Sequence, residues 1–118
     1  MTVETDIFDT LGPLVGDRVF PDDAPLNGAR PFITYQQVGG EAVTFLENTL
    51  PSKKNGRFQI NSWATTRVAS AALARQAEAA MNAATVFQAR PLGDLIAIHS
   101  PDFDLYGSSQ DFTIWSDR

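Results

Sequence analysis

The chain has 118 residues, 43% hydrophobic and 19% charged, with a net charge of −5. This suits one globular domain with a modest core, read as residues 1–118, and excludes a disordered chain. Net acidity argues against direct nucleic-acid recognition, which needs clustered Lys and Arg, and the absence of Cys excludes disulfides, thiolate metal sites and Cys nucleophiles.

The N-terminal MTVETDIFDT lacks the apolar stretch of a signal peptide, and no apolar run approaches the roughly 20 residues needed to span a bilayer. A soluble intracellular protein without a membrane partner is expected. Residues 2–15 open with a helix: Val3, Ile7, Leu11 and Leu14, with Phe8, recur at helical spacing. Thr2 is its N-cap, Glu4 and Asp6 suit the positive end of the helix dipole, and Gly12-Pro13 ends it. Arg18-Val19-Phe20 is a short strand closed by Pro21, and residues 21–31, with three prolines and an Asn-Gly pair, are a loop.

Residues 32–38 are rich in β-formers, and Gly39-Gly40 can turn them into a second strand over 41–46. The polar stretch 47–56, with Pro51, Lys53-Lys54 and Asn55-Gly56, is expected to be an exposed loop. A long strand follows over 57–64, in which Phe58, Ile60 and Ser62 face one way and Gln59, Asn61 and Trp63 the other. The strands at 32–38, 41–46 and 57–64 then form an antiparallel meander.

An Ala-rich helix occupies 65–84, with Ala69, Leu73, Ala77, Ala80 and Ala84 on the buried face and Arg67, Arg75, Glu78 and Asn82 opposite. Small side chains let such a helix sit close to a sheet. The tail is strand-like at Val86–Arg90, Leu95–His99, Phe103–Tyr106 and Asp111–Trp115, with a turn at Gly107-Ser108-Ser109. The fold class is α+β: a mostly antiparallel sheet with an N-terminal helix and one long Ala-rich helix packed on it.

No arrangement of residues carries a reaction. His99 is the single histidine, and its neighbours Ser100 and Asp102 cannot reach triad geometry from adjacent positions. Asp102 and Asp104 are spaced as in a calcium loop but lack its Gly and Glu, and Asp22-Asp23 reads as a solvated pair. Gly39-Gly40 fits a hairpin turn better than a phosphate loop. No catalytic residue, cofactor or metal site is expected. Lys53, Lys54 and Arg57 form the one basic cluster and are the candidate partner-binding residues, with a solubilising loop as the bland alternative. Trp63 and Trp115 read as core or interface anchors. Trp63, facing away from Phe58 and Ile60, points to a second layer or another subunit.

The order of motifs is familiar: a short N-terminal helix, GDRVFPD, a Pro-rich loop, PFITYQQV, a polar loop, RFQINSWATTRVASAALARQAEAAM and a closing DFTIW. It resembles, over nearly the whole chain, the small tail-completion proteins of long-tailed bacteriophages and prophages, related to tail terminators and tail-to-head joining proteins. The most specific segments are Arg18–Pro21, Arg57–Trp63 and Asp111–Trp115, and all are structural patterns. The resemblance implies a non-enzymatic virion tail protein, assembled in the bacterial host cytoplasm. It further implies a ring homo-oligomer, commonly a hexamer, that caps the tail tube protein and meets the head connector protein. Two other functions fit the residues: a small protein-binding adaptor, and a small enzyme whose pocket gathers carboxylates and His99.

Overall fold

The computed structural model describes residues 2–25, 28–42 and 52–118. Helix α1 spans Val3–Leu11, and Thr2 caps it by accepting a hydrogen bond from the Thr5 amide at 3.2 Å. A 3-10 turn at Gly12–Leu14 follows, because Pro13 has no amide to continue the helix. The next elements are β1 (Val19–Pro21), β2 (Phe32–Gly39), β3 (Lys53–Ala64) and helix α2 (Arg67–Ala83). Strands β4 (Gln88–Pro91), β5 (Ile96–Ser100) and β6 (Leu105–Asp117) close the chain.

Among the described residues these strands make one six-stranded sheet in the order β1-β2-β3-β6-β4, antiparallel except for the β1–β2 pair. Strand β3 pairs with β6 along its whole length, from Lys53 opposite Asp117 to Ala64 opposite Tyr106. The other edge of β6 is shared, by β5 against residues 105–109 and by β4 against residues 112–115. Both helices lie on one face of the sheet. Ile7, Leu11, Ile33, Phe58, Met81, Phe112 and Ile114 are almost completely buried in one core between them. The α+β class read from the sequence is the observed one, and the opposed facing of Phe58 and Ile60 against Gln59 and Trp63 is seen in the burial of β3.

Four local expectations are corrected. First, 32–38 and 57–64 are not separated by another strand: β2 pairs directly with β3, Phe32 opposite Trp63, and its other edge is taken by β1. Glu41 and Ala42 are outside any strand, and residues 43–51, which include the rest of the expected strand and most of the expected loop, lie outside the described residues.

Second, Lys53–Gly56 belongs to β3, not to a loop. The Asn-Gly turn preference loses to twelve-residue pairing with β6, helped by a 2.7 Å bond from Asn55 Nδ2 to Thr113 Oγ1. Gly56 also makes room for the Phe58 ring, since a Cβ there would lie 2.6 Å from Phe58 Cε2.

Third, the buried face of α2 is Ser70, Leu73, Ala74, Ala77 and Met81, with Ala69 exposed and Ala80 and Ala84 half-buried. Apolar patterning misplaced this face because it is anchored by a polar residue. Ser70 Oγ donates to Ser62 O at 2.9 Å or shares its proton with Ser108 Oγ at 3.0 Å, both beneath the helix.

Fourth, Gly107-Ser108-Ser109 is strand, so Leu105–Asp117 runs unbroken, and Phe103 belongs to a short 3-10 turn over Pro101–Phe103. Small residues there signal close packing rather than a turn.

Candidate functional site

Among the described residues no helix lies on the face of the sheet opposite α1 and α2, and it is the surface on which the unusual side chains gather. Strand alternation puts Phe32, Thr34 and Gln36 of β2 on it. In register with them are Trp63, Asn61 and Gln59 of β3, then Arg57 opposite Thr113 further along. Phe32, Trp63, Gly107 and Ile98 fall in one row across four strands. Trp63 lies over Gly107, where an added Cβ would meet its ring carbons at 2.8 Å and Ile98 Cγ1 at 2.7 Å. The indole is fixed on two further sides. Its Nε1 donates to Thr34 Oγ1 at 3.1 Å, and its ring stacks on Phe32 with centroids 6.4 Å apart, while Phe20 packs edge-on against Phe32 at 6.3 Å.

Around Trp63 the face dips into a groove of about 420 Å³. Phe32, Thr34, Gln36, Asn61 and Trp63 form its floor, and Asp22–Pro25, Gly28, Arg30, Phe103 and Leu105 line its sides. Arg30 ties those sides together: its guanidinium donates to Phe103 O at 2.6 Å and to Asp104 O at 3.3 Å. Asp22 holds a left-handed backbone at φ 63°, a conformation that Asp and Asn tolerate best after Gly.

The three basic candidates do not form one cluster. Lys53 and Arg57 share the uncovered face, whereas Lys54, between them in alternation, points to the other. Lys53 is ion-paired with Asp117, and Arg57 Nε and Nη2 bond Asp111 Oδ2 at 2.9 and 2.7 Å. The ammonium of Lys53 holds the Asp117 carboxyl below the ordinary carboxylate value. All three lie near the end of the β3–β6 ladder remote from the Trp63 groove.

His99 is exposed, stacks on Tyr106 with centroids 4.4 Å apart, and makes no hydrogen bond to Ser100 or Asp102 among the described residues. Arg67 lies over the same Tyr106 ring at 5.4 Å and donates to the carbonyls of Gly107 and Ile98, at 2.7 Å for the latter, fixing β5 to β6. No group of three His, Asp or Glu that could hold a metal occurs among the described residues. No helix there is long and apolar enough to cross a membrane.

Sequence reasoning singled out Trp63 and its direction but missed Phe32, Arg30 and Phe103 as its companions. The alternation that turns Trp63 outward would also have turned Phe32 outward, had direct β2–β3 pairing been read. Arg30 and Phe103 come from distant loops, and no spacing joins them.

A mostly antiparallel sheet with both helices on one face and a broad polar–aromatic surface on the other defines an α+β protein suited to contact through surfaces. Residues 9–117 match the family described as tail completion protein gp17, and the chain belongs to it. It is a phage tail structural protein, located in the virion tail and interacting with other phage tail and head proteins. No curated protein matches the chain.

Proposed function

We propose that the protein is a ring-forming subunit, a hexamer on assembly, that caps the head-proximal end of the tail tube and joins it to the head connector. In this role it acts as one non-enzymatic domain, assembled in the host cytoplasm. The observation that carries the proposal is the match of nearly the whole chain to a tail-completion family. The fold supports it. A cyclic ring needs two different patches per subunit, and among the described residues several stand without a partner: the sheet face opposite the helices, the outer edge of β5, and Gln36–Gly39 of β2 beyond the short β1. Lys53, Lys54 and Arg57 are proposed as partner-contact residues at one end of the molecule.

The test is the double variant Lys53→Glu, Lys54→Glu. Lys53 is exposed and Lys54 half-buried, and the exposed Lys53–Asp117 pair contributes little, so circular dichroism and Tm should stay close to the parent. Sedimentation across concentrations and electron microscopy of reconstituted tails should show weaker ring formation or tube attachment. Unchanged assembly removes this end from the interface, and a parent chain that never forms a ring, free or on tubes, removes the ring.

A further inference from the structure

We propose that the Trp63 groove is a docking site for an arginine or lysine side chain carried on an extended segment of another protein of the tail. Three observations point to a cation. The floor carries an aromatic ring held in place: Trp63 lines the groove, is half-buried, hydrogen-bonded to Thr34 and stacked on Phe32, so it has little freedom to turn. An indole held this way attracts a guanidinium or ammonium through its quadrupole, and Arg adds planar stacking.

The rim is acidic. Asp22 and Asp23 line the groove, Asp102 and Asp104 are exposed on the adjoining turn, and none of the four has an ion pair among the described residues. Arg30 also lines the groove and offsets one of these four charges, but its guanidinium is turned to the carbonyls of Phe103 and Asp104. The third observation is size: at about 420 Å³ the groove lies at the small end of ligand sites and suits one or two side chains rather than a helix.

The chain itself is a poor source for this occupant. Arg18, Arg30 and Arg67 donate to backbone carbonyls, while Lys53, Arg57 and Arg75 are paired with carboxylates. Lys53, Lys54 and Arg57 also sit in β3 and Arg90 in β4, both already paired with β6, and the Arg118 amide bonds Ser52 O, so these five lie toward the end of the ladder remote from the groove. The occupant is therefore assigned to a different protein. This assignment goes beyond the ring proposal and stands without it.

The experiment uses the full chain, ¹⁵N-labelled, titrated with the blocked tripeptide leucyl-arginyl-leucine and with its glutaminyl counterpart. The chain has two indoles, Trp63 and Trp115. The arginyl peptide should move the Trp63 indole signal and leave that of Trp115 in place, a Trp115→Phe variant supplying the assignment. The glutaminyl peptide should bind several-fold more weakly. Asp22→Asn with Asp23→Asn should weaken the arginyl peptide about fivefold, with Tm unchanged, and raised salt should do the same. Equal binding of the two peptides, or no movement of Trp63 up to millimolar peptide, overturns the proposal. Loss of self-association in the Asn variant, without peptide binding to the parent, also overturns it and assigns the groove to a second copy. Because the titration is read on the isolated chain, its failure is distinct from failure of ring assembly.

Discussion

Gly107→Ala tests whether the uncovered face is built around Trp63. The new methyl would sit 2.8 Å from Trp63 Cε3 and Cζ3 and 2.7 Å from Ile98 Cγ1, closer than carbon atoms tolerate. Ile98 can turn its side chain, but Trp63 is held by Thr34 and Phe32. Overpacking of this kind costs about 1–3 kcal/mol. If the indole swings away instead, the loss is about 1 kcal/mol for its hydrogen bond and a similar amount for the stacked pair. Against this, Ala in place of Gly restricts the unfolded chain and returns about 0.4–1 kcal/mol. The net expectation is a destabilisation of about 1.5 kcal/mol. An unfolding entropy near 2.1 cal/mol/K per residue makes about 0.25 kcal/mol/K for the domain, so Tm should fall by about 6 °C. Differential scanning calorimetry gives the Tm, and the Trp63 indole signal should move with it. In a double-mutant cycle with Trp63→Ala most of the cost should vanish, because the clash has lost its partner. An unchanged Tm with an unmoved Trp63 signal, or full additivity in the cycle, refutes the close approach.

Further outcomes follow from the packing. Ser70→Ala should cost about 1 kcal/mol by denaturant titration, and Ser70→Ala with Ser108→Ala should cost less than the sum, since the hydroxyls at 3.0 Å lose their need together. Arg67→Ala should release β5 first: hydrogen exchange at Ile96–Ser100 should quicken while the β3–β6 amides stay protected, because Arg67 joins the carbonyls of Ile98 and Gly107. Ala77→Leu, at a position 2% exposed under α2, should overpack the helix–sheet contact by about 1–3 kcal/mol, measured as a fall in the urea midpoint. The Leu95 amide, then Arg75, hold the Asp94 carboxyl below its ordinary value. That stabilisation is complete above the ordinary carboxylate pKa and is lost as pH falls through the depressed one. Asp94→Asn should therefore lower Tm slightly at neutral pH, with the difference from the parent closing as pH falls through the depressed value, which flattens the acid limb of a Tm-against-pH profile.

What could be read from the residues alone was whatever depended on local periodicity. The α1 cap at Thr2, the two-sided character of β3 and the outward direction of Trp63 all follow from neighbours within a few positions. Pairing did not follow. Asn55-Gly56 and Gly107-Ser108-Ser109 read as turns because small and turn-forming residues are ambiguous between a bend and a tightly packed strand. The ambiguity is settled by what packs over them, the Phe58 ring from two residues along the same strand over Gly56 and Trp63 from the paired strand over Gly107. The buried face of α2 shifted for a related reason: Ser70 is inside because Ser62 and Ser108, distant in sequence, offer it partners. Of the candidate site, the basic residues were visible as a run of charge. Their separation onto two faces came from Lys53–Gly56 joining β3, and the pairing of Lys53 with Asp117 and of Arg57 with Asp111 depended on the far end of the chain.

The β3–β6 ladder has a mechanical consequence. Twelve residue pairs, Lys53 opposite Asp117 through Ala64 opposite Tyr106, run side by side along a molecule extending 52 Å in one direction and 24 and 22 Å in the others. Tension applied along these strands loads the whole row of transverse hydrogen bonds in shear, so many must yield at once. A force that peels one strand from its end meets them one by one. Rupture under load is governed by the unfolding barrier rather than by equilibrium stability. Pulled in an optical trap through residues 53 and 106, at opposite ends of the two strands, the chain should give way at a much higher force than when pulled through residues 64 and 106, where the ladder unzips.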